Sequence, residues 1–102
     1  MENSILNIAW EAGGSIPINA KNAHRCDQGG SSSKIKIMYS TTGHSEYYLE
    51  LDFNQDTTAD DKLALENALI RIQQQPSSLV NFKMPSGAVL KSEVPITQIL
   101  NQ

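Results

Sequence analysis

The sequence predicts an α+β fold in which a mainly antiparallel sheet packs on one principal helix. Three observations carry that expectation. Residues 34–53 alternate apolar and polar side chains in two runs, as half-buried strands do. Residues 58–75 repeat apolar residues three and four apart, as a helix does, and Pro76 separates that helix from a second alternating stretch. At 102 residues the chain has the size of one domain with one core, taken as 1–102.

The elements follow in chain order. Leu6, Ile8 and Trp10 share a face if residues 4–10 are extended, which predicts an N-terminal strand. Gly13-Gly14 interrupts it, and Ile16-Pro17-Ile18 reads as a short edge strand, where a missing amide does least harm. Lys21 to Ser33 reads as loop. It ends in the low-complexity tract Gly29-Gly30-Ser31-Ser32-Ser33, which reads as a connector, with a mobile lid as the alternative.

In the central hairpin Ile35, Ile37 and Tyr39 alternate with Lys34, Lys36 and Met38, and Tyr47, Leu49, Leu51 and Phe53 alternate with Glu46, Tyr48, Glu50 and Asp52. Keeping both apolar sets on one face requires an even register. Pairing Tyr39 with Tyr47 satisfies this and also sets Lys36 opposite Glu50 and Lys34 opposite Asp52. A two-residue Thr42-Gly43 loop would give an odd register, so a longer or bulged turn is expected at 41–44.

Thr57 or Thr58 is expected to cap the helix, with Asp60 and Asp61 in its first turn, where carboxylates suit the free amides and the helix dipole. Ala64, Leu65, Ala68, Leu69 and Ile72 form the stripe that should cover the sheet. Leu63 and Ile70, one heptad apart, fall on the opposite side of the wheel. Leu79–Met84 and Ala88–Val94, joined at Pro85-Ser86-Gly87, read as a second hairpin, with Val80, Phe82, Met84, Ala88, Leu90 and Val94 on one face. Pro95 suits the first position of a short C-terminal helix in which Ile96, Ile99 and Leu100 cluster.

Composition removes several function classes. The lone Cys26 cannot form an internal disulfide, and the first residues lack the charged and apolar regions of a secretory signal, so a cytoplasmic location is expected. Apolar runs are too short to cross a bilayer, for which about 20 residues are needed. Seven acids between 46 and 66, against Lys62 alone, argue against a nucleic-acid partner, which would want clustered Lys and Arg.

Few constellations carry chemistry. Asp52, Asn54, Asp56, Thr58 and Asp60 have the alternating oxygen spacing of a calcium loop. That loop requires glycine at its sixth position and a closing Glu at its twelfth, and the chain has Thr57 and Leu63. Strand partner, turn and helix cap explain the same residues more cheaply. His24, Cys26 and the more distant His44 are candidates for a pocket holding a thiol and a base, although no third group is identifiable to orient a histidine. A lone cysteine is more often a small buried apolar residue. Glu46, Glu50 and Asp52 read as a solvated sheet face paired with Lys34 and Lys36, and Trp10 and Tyr48 as surface anchors. Met84-Pro85-Ser86-Gly87 lacks the spacing of a phosphate loop.

No cofactor signature is present in the sequence. The expectation is a non-enzymatic interaction module that forms a homo-oligomer or binds a protein partner, with Leu63, Ile70, Ile96, Ile99 and Leu100 as interface candidates. A small-ligand binder or small enzyme with a sheet–helix pocket, and a divalent-cation domain, are the alternatives.

Overall fold

The computed structural model describes residues 5–39, 46–74, 79–93 and 95–101. Its elements are β1 (Ile5–Ala9), β2 (Ser15–Asn19), β3 (Ala23–Gln28), β4 (Lys34–Tyr39), β5 (Glu46–Asp52), α1 (Ala59–Gln74), β6 (Leu79–Phe82) and β7 (Ile96–Asn101). The strands form two sheets, ordered β2-β1-β6 and β3-β4-β5-β7, and every pairing but β1–β6 is antiparallel. With one main helix on these sheets, the fold is α+β as expected.

The central hairpin has the expected register: Tyr39 pairs with Tyr47, Lys36 with Glu50 and Lys34 with Asp52. Ile35, Ile37, Leu51 and Phe53 are fully buried, so alternation and charge pairing select the same face. The charges pair diagonally, Lys34 Nζ lying 4.0 Å from Glu50 Oε1. Lys36 instead sets its ammonium over the Tyr48 ring, 4.6 Å from the centroid. The turn at 41–44, with His44, lies outside the described residues.

β1 and β2 pair through Leu6↔Ile18 and Ile8↔Ile16, with Pro17 on an edge strand as expected. Gly13 and Gly14 take positive φ in the turn, a conformation glycine adopts without steric cost.

Three expectations are corrected. Residues 23–28, read as loop, form β3. Alternation fails there because His24 is an extra residue: Ala23 pairs with Tyr39 and Arg25 with Met38. That bulge shifts the parity, so Ala23 and Cys26 both turn to the core side although three apart.

The second hairpin does not close. The Pro85-Ser86 turn forms, with Gly87 N–H donating to the Met84 carbonyl at 2.9 Å, but β6 runs parallel beside β1. The return leg touches the sheets at Leu90, which bridges Trp10 of one and Phe53 of the other. Met84, Ala88 and Leu90 are buried as expected.

Residues 96–101, read as a helix, are strand β7 on the outer edge of β5, with Leu51↔Ile96 and Tyr47↔Leu100. The open edge of β5 offers a row of unpaired backbone groups, and the β-branched Ile96, Thr97 and Ile99 suit a strand better than a helix.

Residues 89–91 and 95–101 therefore run along β5 as two stretches. Asn54 N–H bonds Val89 O and Lys91 N–H bonds Asp52 O before β7 begins, while Leu90 N–H bonds Ala9 O on the β1 side. Both sheets and α1 share one core cluster, built on Leu6, Ile8, Ile18, Ile35, Leu51 and Phe53 and on Leu65, Leu69 and Ile72 of the helix. Trp10, expected as a surface anchor, packs against that cluster and donates its indole N–H to Lys91 O at 2.8 Å. Among the described residues no helix is long and apolar enough to cross a membrane.

Candidate functional site

Of the pocket candidates, Cys26 meets the helix at β3. Cys26 donates its backbone N–H to Glu66 Oε1 at 2.9 Å, and Gln73 Nε2 donates to Ala23 O at 2.6 Å. Lys62 Nζ reaches Gln28 Oε1 at 3.5 Å. Polar side chains of α1 thus occupy backbone and side-chain groups along the free edge of β3. Burial of the Cys26 side chain, with the carboxylates of Glu66 and Asp27 close by, pushes its thiol pKa up to about 12. The sulfur is a thiol, not a thiolate, at physiological pH, which is the opposite of what a nucleophile requires. His24 is exposed on the bulge, and Arg25 Nε pairs with Asp27 Oδ2 at 2.9 Å. Leu65, Leu69 and Ile72 of α1 are fully buried, and Cys26 packs against the core cluster they belong to.

The calcium-type spacing is absorbed by the Gly/Ser tract. Asp56 Oδ1 accepts from Ser32 Oγ at 2.7 Å, Asn54 Oδ1 from Val89 N–H at 3.2 Å, and Asp52 Oδ1 from Ser33 Oγ at 3.5 Å. Asp52 Oδ2 lies 3.6 Å from Lys91 Nζ, and Asp60 is exposed on the first turn of the helix. These oxygens engage separate donors, and among the described residues no group of three or more His, Cys, Asp or Glu is placed to hold a metal ion.

The same contacts give the tract its structural place. Ser32 O accepts from Thr57 N–H at 2.9 Å, Phe53 N–H reaches Ser33 O at 2.9 Å, and Gly30 N–H donates to Glu50 Oε2 at 3.0 Å. A Cβ on Gly29 would lie 2.5 Å from Lys34 Cβ and 2.8 Å from its carbonyl, so the tight connection from β3 to β4 needs glycine.

Asp61 is a polar residue whose burial its local sequence does not announce. The sequence places a charge in the first turn of the helix, and that residue is fully buried. Thr58 caps the helix: its Oγ1 accepts from Asp61 N–H at 3.1 Å, and its N–H donates to Asp61 Oδ2 at 3.0 Å, a reciprocal capping box. Ser86 adds its hydroxyl to Oδ2 at 2.6 Å and its N–H to Oδ1 at 3.0 Å. Burial alone would raise the carboxyl pKa. The hydrogen bonds from Ser86 and Thr58 outweigh it, and the pKa is lowered. A threonine at 57 or 58 ahead of Asp60 and Asp61 signals the cap, but nothing local signals that Ser86 returns to cover it.

An open polar cleft of about 290 Å³ lies where the sheets join, lined by Glu11, Asn54, Lys91, Ser92 and Glu93. Neither His24 nor Cys26 lines it. Glu11 Oε1 accepts from Ser92 N–H at 3.3 Å, and Lys91 is drawn to Asp52.

The helix face away from the core matches the wheel. Leu63 is 57% exposed and Ile70 40%, while Leu65, Leu69 and Ile72 are buried and Ala64 and Ala68 half-buried. Asp60, Asn67, Arg71 and Gln74 are exposed around them. Of the other interface candidates, Ile96 is half-buried against the core, and the side chains of Ile99 and Leu100 lie outside the described residues. A scan of protein-family models, a search of curated proteins and a search of solved structures each return no match to the chain.

Proposed function

We propose that this protein is a non-enzymatic interaction module that works as a homo-oligomer, with the outer face of α1 as a contact surface. The observation that carries the reading is the pair Leu63 and Ile70, two large apolar side chains held in solvent on one face of a helix whose other face fills the core. Each exposed apolar group covered by a partner contributes roughly 25 cal/mol per Å² removed from water. The buried, protonated thiol of Cys26 favours this reading over a thiol enzyme. Engagement of Asp52, Asn54 and Asp56 by protein donors favours it over a cation domain. The single thiol and the acid-rich centre fit a cytoplasmic protein with a protein partner rather than nucleic acid.

Light scattering on the wild type and on Leu63→Asp/Ile70→Asp tests it. The expected result is an oligomer whose mass falls in the double variant while the circular dichroism spectrum is kept. An unchanged mass would remove the helix face as a contact.

A further inference from the structure

We infer that β7 is a second self-association surface, at which two copies of the chain pair their β7 strands antiparallel into one continuous sheet. This rests on the homo-oligomer reading and adds to it a different surface, at the opposite edge of the β3-β4-β5-β7 sheet from the helix-covered β3.

Strand edges invite further strands unless something blocks them. Three of the four edges carry such a block. Pro17 removes a donor from β2, β3 is bulged at His24 and met by Glu66 and Gln73 of the helix, and β6 is only four residues long and runs into Lys83. β7 has none of these features: Ile96-Thr97-Gln98-Ile99-Leu100-Asn101 holds no proline, no charge and no bulge in its pairing with β5. β1 does not shield it either, because the β1 chain turns away at residues 11–14 after its last bridge at Leu90.

The backbone specifies what fits the edge. Asp52 N–H donates to Pro95 O, which flanks the pair Leu51↔Ile96. Ile96 is therefore in a non-hydrogen-bonded pair, and its own N–H and C=O point away from β5. By alternation so do those of Gln98 and Leu100. Another extended strand can pair with the whole row.

A second copy fits it by symmetry. A two-fold axis normal to the sheet makes the strands antiparallel and keeps both core faces on one side, which requires residues of like parity to be opposite. Centring that axis on Gln98 sets Gln98 against its own copy and Ile96 against Leu100, so every outward N–H and C=O of the three residues finds a partner. Because residues 96–101 carry no charge, identical strands meet without repulsion.

Sedimentation velocity of the wild type, Gln98→Pro, Gln98→Lys and Leu63→Asp/Ile70→Asp tests this. Gln98→Pro deletes an outward donor and leaves the β5 ladder intact, whereas Gln98→Lys sets like charges face to face. Each is expected to weaken the β7 contact by about tenfold or more. Two different self-contacts at opposite edges build assemblies larger than a dimer, and either set of variants should reduce them to dimers. A mass that both Gln98 variants leave unchanged overturns the β7 contact, as does a wild-type monomer. A mass sensitive to the Gln98 variants and indifferent to Leu63→Asp/Ile70→Asp upholds β7 and removes the helix face. Should the variants unfold, amide exchange on the wild type decides: the Gln98 and Leu100 amides are expected to be protected as strongly as those of Thr97 and Ile99. Exchange at the rate of open chain overturns the proposal.

Discussion

At the scale of single residues the most consequential group is Asp61. Its carboxylate accepts from the Thr58 N–H, the Ser86 N–H and the Ser86 hydroxyl, so one side chain ties the helix N-terminus to the 85–87 turn. Because its folded pKa lies below the unfolded value, the unfolded chain binds the proton more tightly. Its contribution is present above the unfolded carboxyl pKa and is lost as pH falls through the lowered folded value. Asp61→Asn keeps the shape but turns one acceptor oxygen into a donor, at an expected cost of about 2 kcal/mol at neutral pH. Urea titrations between neutral and acid pH check this. The wild type should lose stability over the variant as the pH falls below about 4, and the two curves should converge there.

At the scale of elements, legibility in the sequence followed how local the determining interaction is. The β4–β5 register was readable because alternation and charge pairing are both properties of neighbouring residues. The helix, a cap at Thr57 or Thr58 and the outward placing of Leu63 and Ile70 were readable for the same reason, and the structure decides the cap for Thr58. β3 was not, because the bulge at His24 breaks the period that marks a strand, and because the partners along its edge, Glu66 and Gln73, lie 40 and 50 residues away. β7 was not readable either: Ile96, Ile99 and Leu100 fit a helical spacing, and only the open edge of β5 decides between the two forms.

The sealing of β3 by α1 carries its own prediction. Burial and the Glu66 carboxylate together hold Cys26 as a thiol. The wild type should therefore react with iodoacetamide or a disulfide reagent at mildly alkaline pH far more slowly than its own urea-unfolded form. Glu66→Ala removes a nearby negative charge and opens the edge, so alkylation should accelerate, with an expected loss of about 1 kcal/mol from the freed Cys26 N–H. Equal rates in the native and unfolded wild type would show that the helix does not cover this strand.

At the scale of the whole molecule the question is what makes two separately ordered sheets behave as one structure. They share a core, yet among the described residues strand-to-strand backbone bonding links them along one short segment around Leu90. That residue is fully buried, its N–H bonds Ala9, its carbonyl accepts from Glu11, and it bridges Phe53 on the other side. Its neighbours extend the seam, Val89 to Asn54 and Lys91 to Asp52. Truncating Leu90 removes apolar contact from both sheets at once, so Leu90→Ala should cost about 2–5 kcal/mol. The loss should be global. Trp10 is the lone tryptophan and reports on the β1 end of the seam, while ellipticity at 222 nm reports on α1, which packs along β3. In urea the two signals should move together, in the wild type and in Leu90→Ala, with the midpoint shifted and the slope kept. A Trp10 transition that precedes the helix transition would show that β2-β1-β6 melts separately, and that the shared core rather than the Leu90 seam sets the cooperativity of the fold.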